Sequence, residues 1–333
     1  MKDKSLIFIL ILLVILLSII SYAFFQYIAM EKSNLVSYNG YLHVENAVIK
    51  NSRNETFQLK GISSHGIQWY SDIITYDSLK QLRDNFNVNV FRIAIYTEEN
   101  GYIYNKDNIK NKTIEIINDC IALDIYVVID WHILSDGDPN KYINESNEFF
   151  NEISKKYKYT PNIIYEICNE PNGDNVSWLE SIKPYAERII STIRKNSNSI
   201  IIVGTPTWSK NLKAIEDNII LEDNIMYAYH YYPSSNNFES AEFNLLKAIE
   251  SNIPVFVTEW GVSDNDKNTE IYAETSKKWI KLLNDNNVSW INWSFSYKEE
   301  IFSFLKPNTI VDNLNIEENL SQTGLLIKEL LLN

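Results

Sequence analysis

The stretch IIYEICNEPNG, residues 163–173, reads as a buried strand that stops on polar groups. Four of its first six residues are aliphatic or aromatic, and β-branched types dominate. The run ends in Asn169-Glu170-Pro171, then turns at Asn172-Gly173. Burying a carboxylate costs several kcal/mol unless something answers it. Glu170 is therefore either paired structurally or placed at the mouth of a site where it does chemistry.

Similar runs recur on both sides of this stretch. Strands are expected at 57–63, 88–95, 125–132, 163–170, 199–205, 225–232, 254–260 and 288–295. Helical periodicity lies between them at 76–86, 109–123, 178–196, 241–251 and 268–286, with a last helix near 316–332. Residues 36–62 alternate like a hairpin leading into the first of these strands. Eight strand–helix repeats with near-continuous apolar strands predict a parallel sheet closed as a (β/α)₈ TIM barrel. An open doubly wound sheet is the runner-up. It is disfavoured because no G-x-G-x-x-G follows the first strand and the chain has only 9 glycines.

Composition narrows the function. The 333 residues are 45% hydrophobic, enough for one large core, and 13% aromatic, with 8 Trp and 21 Tyr. Net charge is −13 with no basic run, so a nucleic-acid footprint is absent and a neutral substrate is favoured over an acidic polymer. Cys120 and Cys168 read as small buried hydrophobes, with no C-x-x-C or zinc spacing. The four His are too scattered to predict a metal cluster. Asn-x-Ser/Thr triplets, as at Asn54, Asn144 and Asn319, matter only on a eukaryotic secretory route.

The N-terminus differs from the rest. Lys2 and Lys4 precede an uncharged apolar run over residues 5–25, about long enough to span a bilayer. Residues 1–33 are expected to be a secretory signal peptide or a signal-anchor helix, with residues 34–333 as the catalytic domain. The cationic N-terminal side predicts that this domain lies outside the cytoplasm, secreted or membrane-attached through 5–25.

A barrel places its site at the C-terminal ends of its strands. Those tips offer Ser64, His65, Trp69 and Tyr70; Arg92 and Tyr96; Asp130-Trp131-His132; and Asn169-Glu170. They continue with Thr205 and Trp208; His230-Tyr231-Tyr232; Glu259-Trp260; and Trp293, with Lys298 and Glu300 beyond. Any one of these alone is ordinary. Polar or aromatic residues at every tip are not explained by packing. Glu170 and Glu259 suit glycosidic cleavage, one protonating the leaving oxygen and the other attacking the anomeric carbon or activating water. Arg92 is expected to hold Glu259 as a carboxylate. His230 and Tyr232 are expected to orient the pair, Asn169 to donate to a sugar hydroxyl, and Trp293 to form a stacking floor.

The stretches GISSHGIQWY (61–70), FRIAIYT (91–97), YVVIDWHIL (126–134), IIYEICNEPNG (163–173), AYHYY (228–232), FVTEWG (256–261) and WINWSFSYKEE (290–300) together resemble glycoside hydrolase family 5. The likeness is to its bacterial-type endo-β-1,4-glucanases, the cellulases, and spans roughly 36–300. It implies a retaining mechanism with Glu170 as acid/base and Glu259 as nucleophile. It also implies supporting roles for Arg92, His132, Asn169, His230, Tyr232 and Trp293, and sugar contacts from His65, Trp69, Tyr96, Lys298 and Glu300. Tyr297 departs from the smaller or acidic residue expected before the lysine. The implied partner is a β-1,4-linked glucan, cut by a monomer without cofactor or metal; mannan, xyloglucan and mixed-linkage glucan are the alternatives. A catalytically silent carbohydrate-binding barrel would have no need of both carboxylates. A phosphate or metal enzyme would need a Gly-rich loop or a ligand cluster that the sequence lacks.

Overall fold

The computed structural model describes residues 11–21, 33–264 and 270–333. Eight parallel strands close into a barrel: β3 (Lys60–Ser64), β4 (Val90–Tyr96), β5 (Tyr126–His132), β6 (Ile163–Glu166), β7 (Ile201–Val203), β8 (Ile225–Tyr231), β9 (Val255–Trp260) and β10 (Trp290–Phe295), the last pairing with β3. Ahead of them β1 (His43–Glu45) and β2 (Val48–Lys50) form the expected hairpin, turned by Asn46 and Ala47 at positive φ.

Alternate residues of each strand point into the barrel. At its N-terminal end the interior is apolar: Val90, Tyr126, Val128, Ile164, Ile202, Met226 and Phe256 pack together, and Leu42, Ile49, Phe57 and Leu59 of the N-terminal segment pack with them. One step further along, the inward side chains turn polar. Val90 gives way to Arg92, Val128 to Asp130, Ile164 to Glu166, and Ala228 to His230, all buried. The barrel thus carries an ionic layer on an apolar plug.

The helices α1 (Tyr76–Phe86), α2 (Lys106–Ala122), α3 (Ile143–Lys156), α4 (Lys183–Arg194), α5 (Phe238–Glu250), α6 (Ala273–Asp285) and α7 (Gln322–Leu332) run between or after the strands. Thr75 and Ser78 form a capping box that starts α1, and Asn87 in a left-handed conformation ends it. Asparagine fills this role elsewhere: Asn252 follows α5 and Asn287 follows α6, both at positive φ. In a chain poor in glycine, Asn is the residue that tolerates such turns.

Four expectations need correcting. Helix α3 was not among those read from the sequence. The final helix begins at Gln322 rather than near 316. Strand pairing of β6 ends at Glu166, so Cys168, Asn169 and Glu170 lie beyond the strand. Between β7 and β8 the chain makes only short turns, Pro206–Ser209 and Leu212–Ile215, in place of the helix that eight full repeats would require. Thr207, Trp208 and Ser209 all have positive φ, which a right-handed helix cannot accommodate.

Residues 11–21 are helical and exposed, and no helix among the described residues is long and apolar enough to cross a membrane. The rest of the 5–25 run, on which the signal-anchor expectation rests, lies outside the described residues.

Gly204 sits where β7 passes under the 168–171 segment; a Cβ there would lie 2.0 Å from the Cys168 carbonyl oxygen and 2.7 Å from Pro171 Cδ. Gly204→Ala is expected to cost about 1–3 kcal/mol through forced backbone shifts, read as a lowered thermal denaturation midpoint.

Candidate active site

Arg92 occupies the middle of the ionic layer and is fully buried. Its Nε donates to Glu166 Oε2 at 2.7 Å, Nη1 to Glu259 Oε2 at 3.2 Å, and Nη2 to Asn169 Oδ1 at 2.7 Å. Asp130 Oδ2 lies 3.0 Å from Nη2. Burial alone would lower the Arg92 pKa, but Asp130, Glu166 and Glu259 together raise it, so the guanidinium stays charged. One cation cannot balance so many carboxylates in a dry interior. Burial accordingly raises Glu166 and pushes Asp130 up to about 8, against the pull of Arg92 on both.

Arg92 also sets the orientation of its neighbours. Because Asn169 Oδ1 accepts from Arg92, its Nδ2 faces Ile133 O at 3.1 Å and His132 Nε2 at 3.2 Å. His132 Nε2 is then an acceptor, and its proton sits on Nδ1, 2.6 Å from Asp130 Oδ2. Burial holds His132 neutral by lowering its pKa well below the usual value. Asn169 is fully buried with its amide spent on protein partners, so it serves this layer rather than reaching outward.

The two carboxylates of interest sit side by side above it. Oxygens of Glu170 and Glu259 and a ring nitrogen of His230 lie within 4.8 Å of one another. Glu259 accepts from Arg92 and, at 2.6 Å, from Tyr232 Oη. Glu170 Oε1 lies 2.7 Å from His230 Nδ1, whose Nε2 faces Thr258 Oγ1 at 3.0 Å. Burial lowers His230 to about 4, so at neutral pH it brings no charge to Glu170. Glu170 is pushed up to about 7, chiefly by its own burial, with Lys210 and Arg92 opposing. The same three groups have the spacing of metal ligands, but each carboxylate is already matched to a protein partner.

Backbone irregularities aim these groups. Between Ala228↔Phe256 and His230↔Glu259 the register advances two residues on β8 and three on β9. This bulge turns Glu259 toward the site, where strict alternation would have put Thr258. A second register shift, in β10 between Trp293 and Phe295, accompanies the cis Trp293–Ser294 peptide.

Aromatic groups line one side. Trp293 stacks on His132 with ring centroids 5.4 Å apart and lies 5.1 Å from His65. Tyr96 packs on His132 at 4.2 Å and meets the edge of Trp69 at 5.2 Å. Trp69 is 41% exposed. His65 Nδ1 accepts from Gly66 N, leaving Nε2 to face Lys298 at 3.4 Å and Glu300 at 3.8 Å. Lys298 Nζ and Glu300 Oε2 pair at 2.5 Å. The thirteen side chains given a role from the sequence thus all fall in this region. The reading gave no role to Asp130 and missed Glu166 and Thr258. Both had a signal, a polar side chain at an inward position of an apolar run: a charge for Glu166, and for Thr258 its alternation with the inward Phe256.

Comparison with known proteins adds the family. The model described as "Cellulase (glycosyl hydrolase family 5)" matches residues 50–299. The chain belongs to glycosyl hydrolase family 5. An endoglucanase of Clostridium saccharobutylicum is 43% identical to this family 5 chain over 294 residues, covering 88% of it and 65% of the relative. Endoglucanase A of Evansella cellulosilytica is 43% identical over 273 residues, covering 82% and 56%. The chain therefore spans less than two thirds of these curated relatives. Among solved structures, the catalytic domain of a Thermobifida fusca endoglucanase superposes with a TM-score of 0.85 at 31% identity, covering 90% of this chain and 99% of that one. A variant of that domain was solved in complex with cellotetraose.

Arg92→Met is expected to destabilise by about 3–5 kcal/mol, because it strands buried carboxylates. Adding Glu166→Gln should restore part of the loss, read as non-additivity in denaturant midpoints.

Proposed function

We propose that this chain is a retaining endo-β-1,4-glucanase in which Glu170 is the acid/base and Glu259 the nucleophile. The observation that carries the reading is the closeness of the two carboxylates in unlike surroundings. Their oxygens lie within 4.8 Å, on the side of the roughly 5–5.5 Å spacing of retaining enzymes rather than the wider gap that houses an inverting water. Glu170, buried beside a neutral imidazole, is pushed up to about 7, so a large share of it still carries its proton near neutral pH. Glu259 receives two donors, a guanidinium and a phenol, that answer a negative charge.

In the first step Glu170 gives its proton to the glycosidic oxygen while Glu259 forms a bond to the anomeric carbon, and the leaving chain departs as an alcohol. In the second, Glu170 takes a proton from water as that water displaces Glu259. Arg92, Asn169, His132, His230 and Tyr232 act by positioning. His65, Trp69, Tyr96, Trp293, Lys298 and Glu300 hold the sugar on the non-reducing side. The glucan assignment is supported by the endoglucanase relatives, and the ligand class by the cellotetraose complex of a structural neighbour. We place the catalytic part outside the cytoplasm, a reading supported by Lys2 and Lys4 ahead of the uncharged 5–25 run.

The test is hydrolysis of carboxymethylcellulose against mannan. Glucan cleavage should fall about 10²–10⁴-fold in Glu170→Gln and no less in Glu259→Gln. Mannan cleavage without glucan cleavage would overturn the substrate. Binding by a folded wild type without hydrolysis would favour a silent binder.

The pH profile gives a second test. The raised Glu170 must be protonated to act, so kcat/KM should hold below about 7 and decline as pH rises through that value. An alkaline limb that persists unchanged in Glu170→Gln would assign it to another group.

A further inference from the structure

Tyr297 stands at the outer edge of the aromatic wall. It directly precedes Lys298, and its ring meets that of Tyr70 at 5.2 Å and 90°. Its hydroxyl donates to Asp72 Oδ2 at 2.9 Å. Tyr70 in turn lies 5.2 Å from His65, and His65 lies 5.1 Å from Trp293. Steps of one ring each thus lead from beside the reacting carboxylates, past the His65–Lys298–Glu300 group, to Tyr297. Both Tyr70 and Tyr297 are partly exposed at the end of this path.

We infer that Tyr297, fixed by Asp72 and Tyr70, forms a further subsite that takes a glucosyl unit one step beyond the sugar held by Lys298 and Glu300. The inference rests on the glucanase reading. A tyrosine offers an apolar face with a polar tip, which suits a sugar ring presenting C–H groups on its face and hydroxyls at its edge. Here the ring is held before any ligand arrives: Asp72 fixes the tip and Tyr70 abuts it. Little side-chain freedom is then lost on binding, which is what a preformed platform requires. The competing explanation is that Tyr297 only staples the loop after β10 to the Ser71–Ile73 turn. A staple would affect every substrate alike.

The experiment compares kcat/KM for 4-nitrophenyl β-cellotrioside and β-cellobioside, read as nitrophenol release. The trioside reaches one unit further from the cleaved bond. In Tyr297→Ala the trioside-to-bioside ratio should fall about three- to tenfold. In Tyr297→Phe, which keeps the ring and loses the Asp72 bond, it should fall by less. Equal loss on both substrates, leaving the ratio fixed, overturns the subsite in favour of the staple. A rise in the ratio also overturns it, and would mean that Tyr297 screens longer chains out. If the wild type releases nitrophenol from neither substrate, the glucanase reading itself fails and the subsite with it.

Discussion

A guanidinium with no exposed surface, surrounded by carboxylates, is the interaction on which the site depends. Arg92 cannot shed its proton, and each of its partners was brought out of water to meet it. Such an arrangement contributes little net stability compared with apolar packing, because desolvation offsets most of the attraction. What it contributes is geometry. The planar fork has fixed directions, and it spends them on Glu166, Asn169 and Glu259 at once. The orientation of Asn169, the tautomer of His132 and the placement of Glu259 follow from that one group.

The roles proposed for the two glutamates rest on which of them touches it. Glu259 is bonded to the guanidinium and to a phenol, so its negative charge is met in place. Glu170 has for its near partner an imidazole that burial keeps neutral. The same residue type in the same cavity thus meets opposite electrostatic conditions, and proton-donating chemistry needs that contrast. The neighbouring Glu166 reinforces it. Negative charge beyond what Arg92 can balance resists the ionisation of a further carboxyl, and Glu166 acts on Glu170 in that direction.

The barrel itself was legible because its strands are buried on both faces and therefore stay apolar for their whole length. The polar tips were legible for the complementary reason: a charge has no place at the end of such a strand unless the chain ends it in a site. What could not be read was direction. Strict alternation from Phe256 points Thr258 inward and Glu259 away; the bulge that brings Glu259 to the site leaves no mark in FVTEW. Glu166 was passed over because it sits inside a run that reads as core, although an inward charge in a strand demands a partner. The crossover after β7 was left without an element for a different reason: three successive left-handed residues without glycine are a conformation that no local preference signals.

These irregular places have a common feature. The bulge in β9 carries Glu259, the register shift in β10 carries Trp293, and the left-handed turn after β7 is tied back to the segment that carries Glu170 by Trp208 N to Pro171 O and Ser209 Oγ to Asn169 O. A barrel of uniform staves would present side chains only at the spacing its pleat allows. Bringing two carboxylate oxygens within 4.8 Å from β9 and from the segment beyond β6, strands that are not neighbours, requires local departures from that spacing. Such departures cost energy and persist only when the surroundings determine them. Here the apolar plug below and the guanidinium at the centre supply that determination, so the rigid part of the barrel holds the irregular part in a reactive shape.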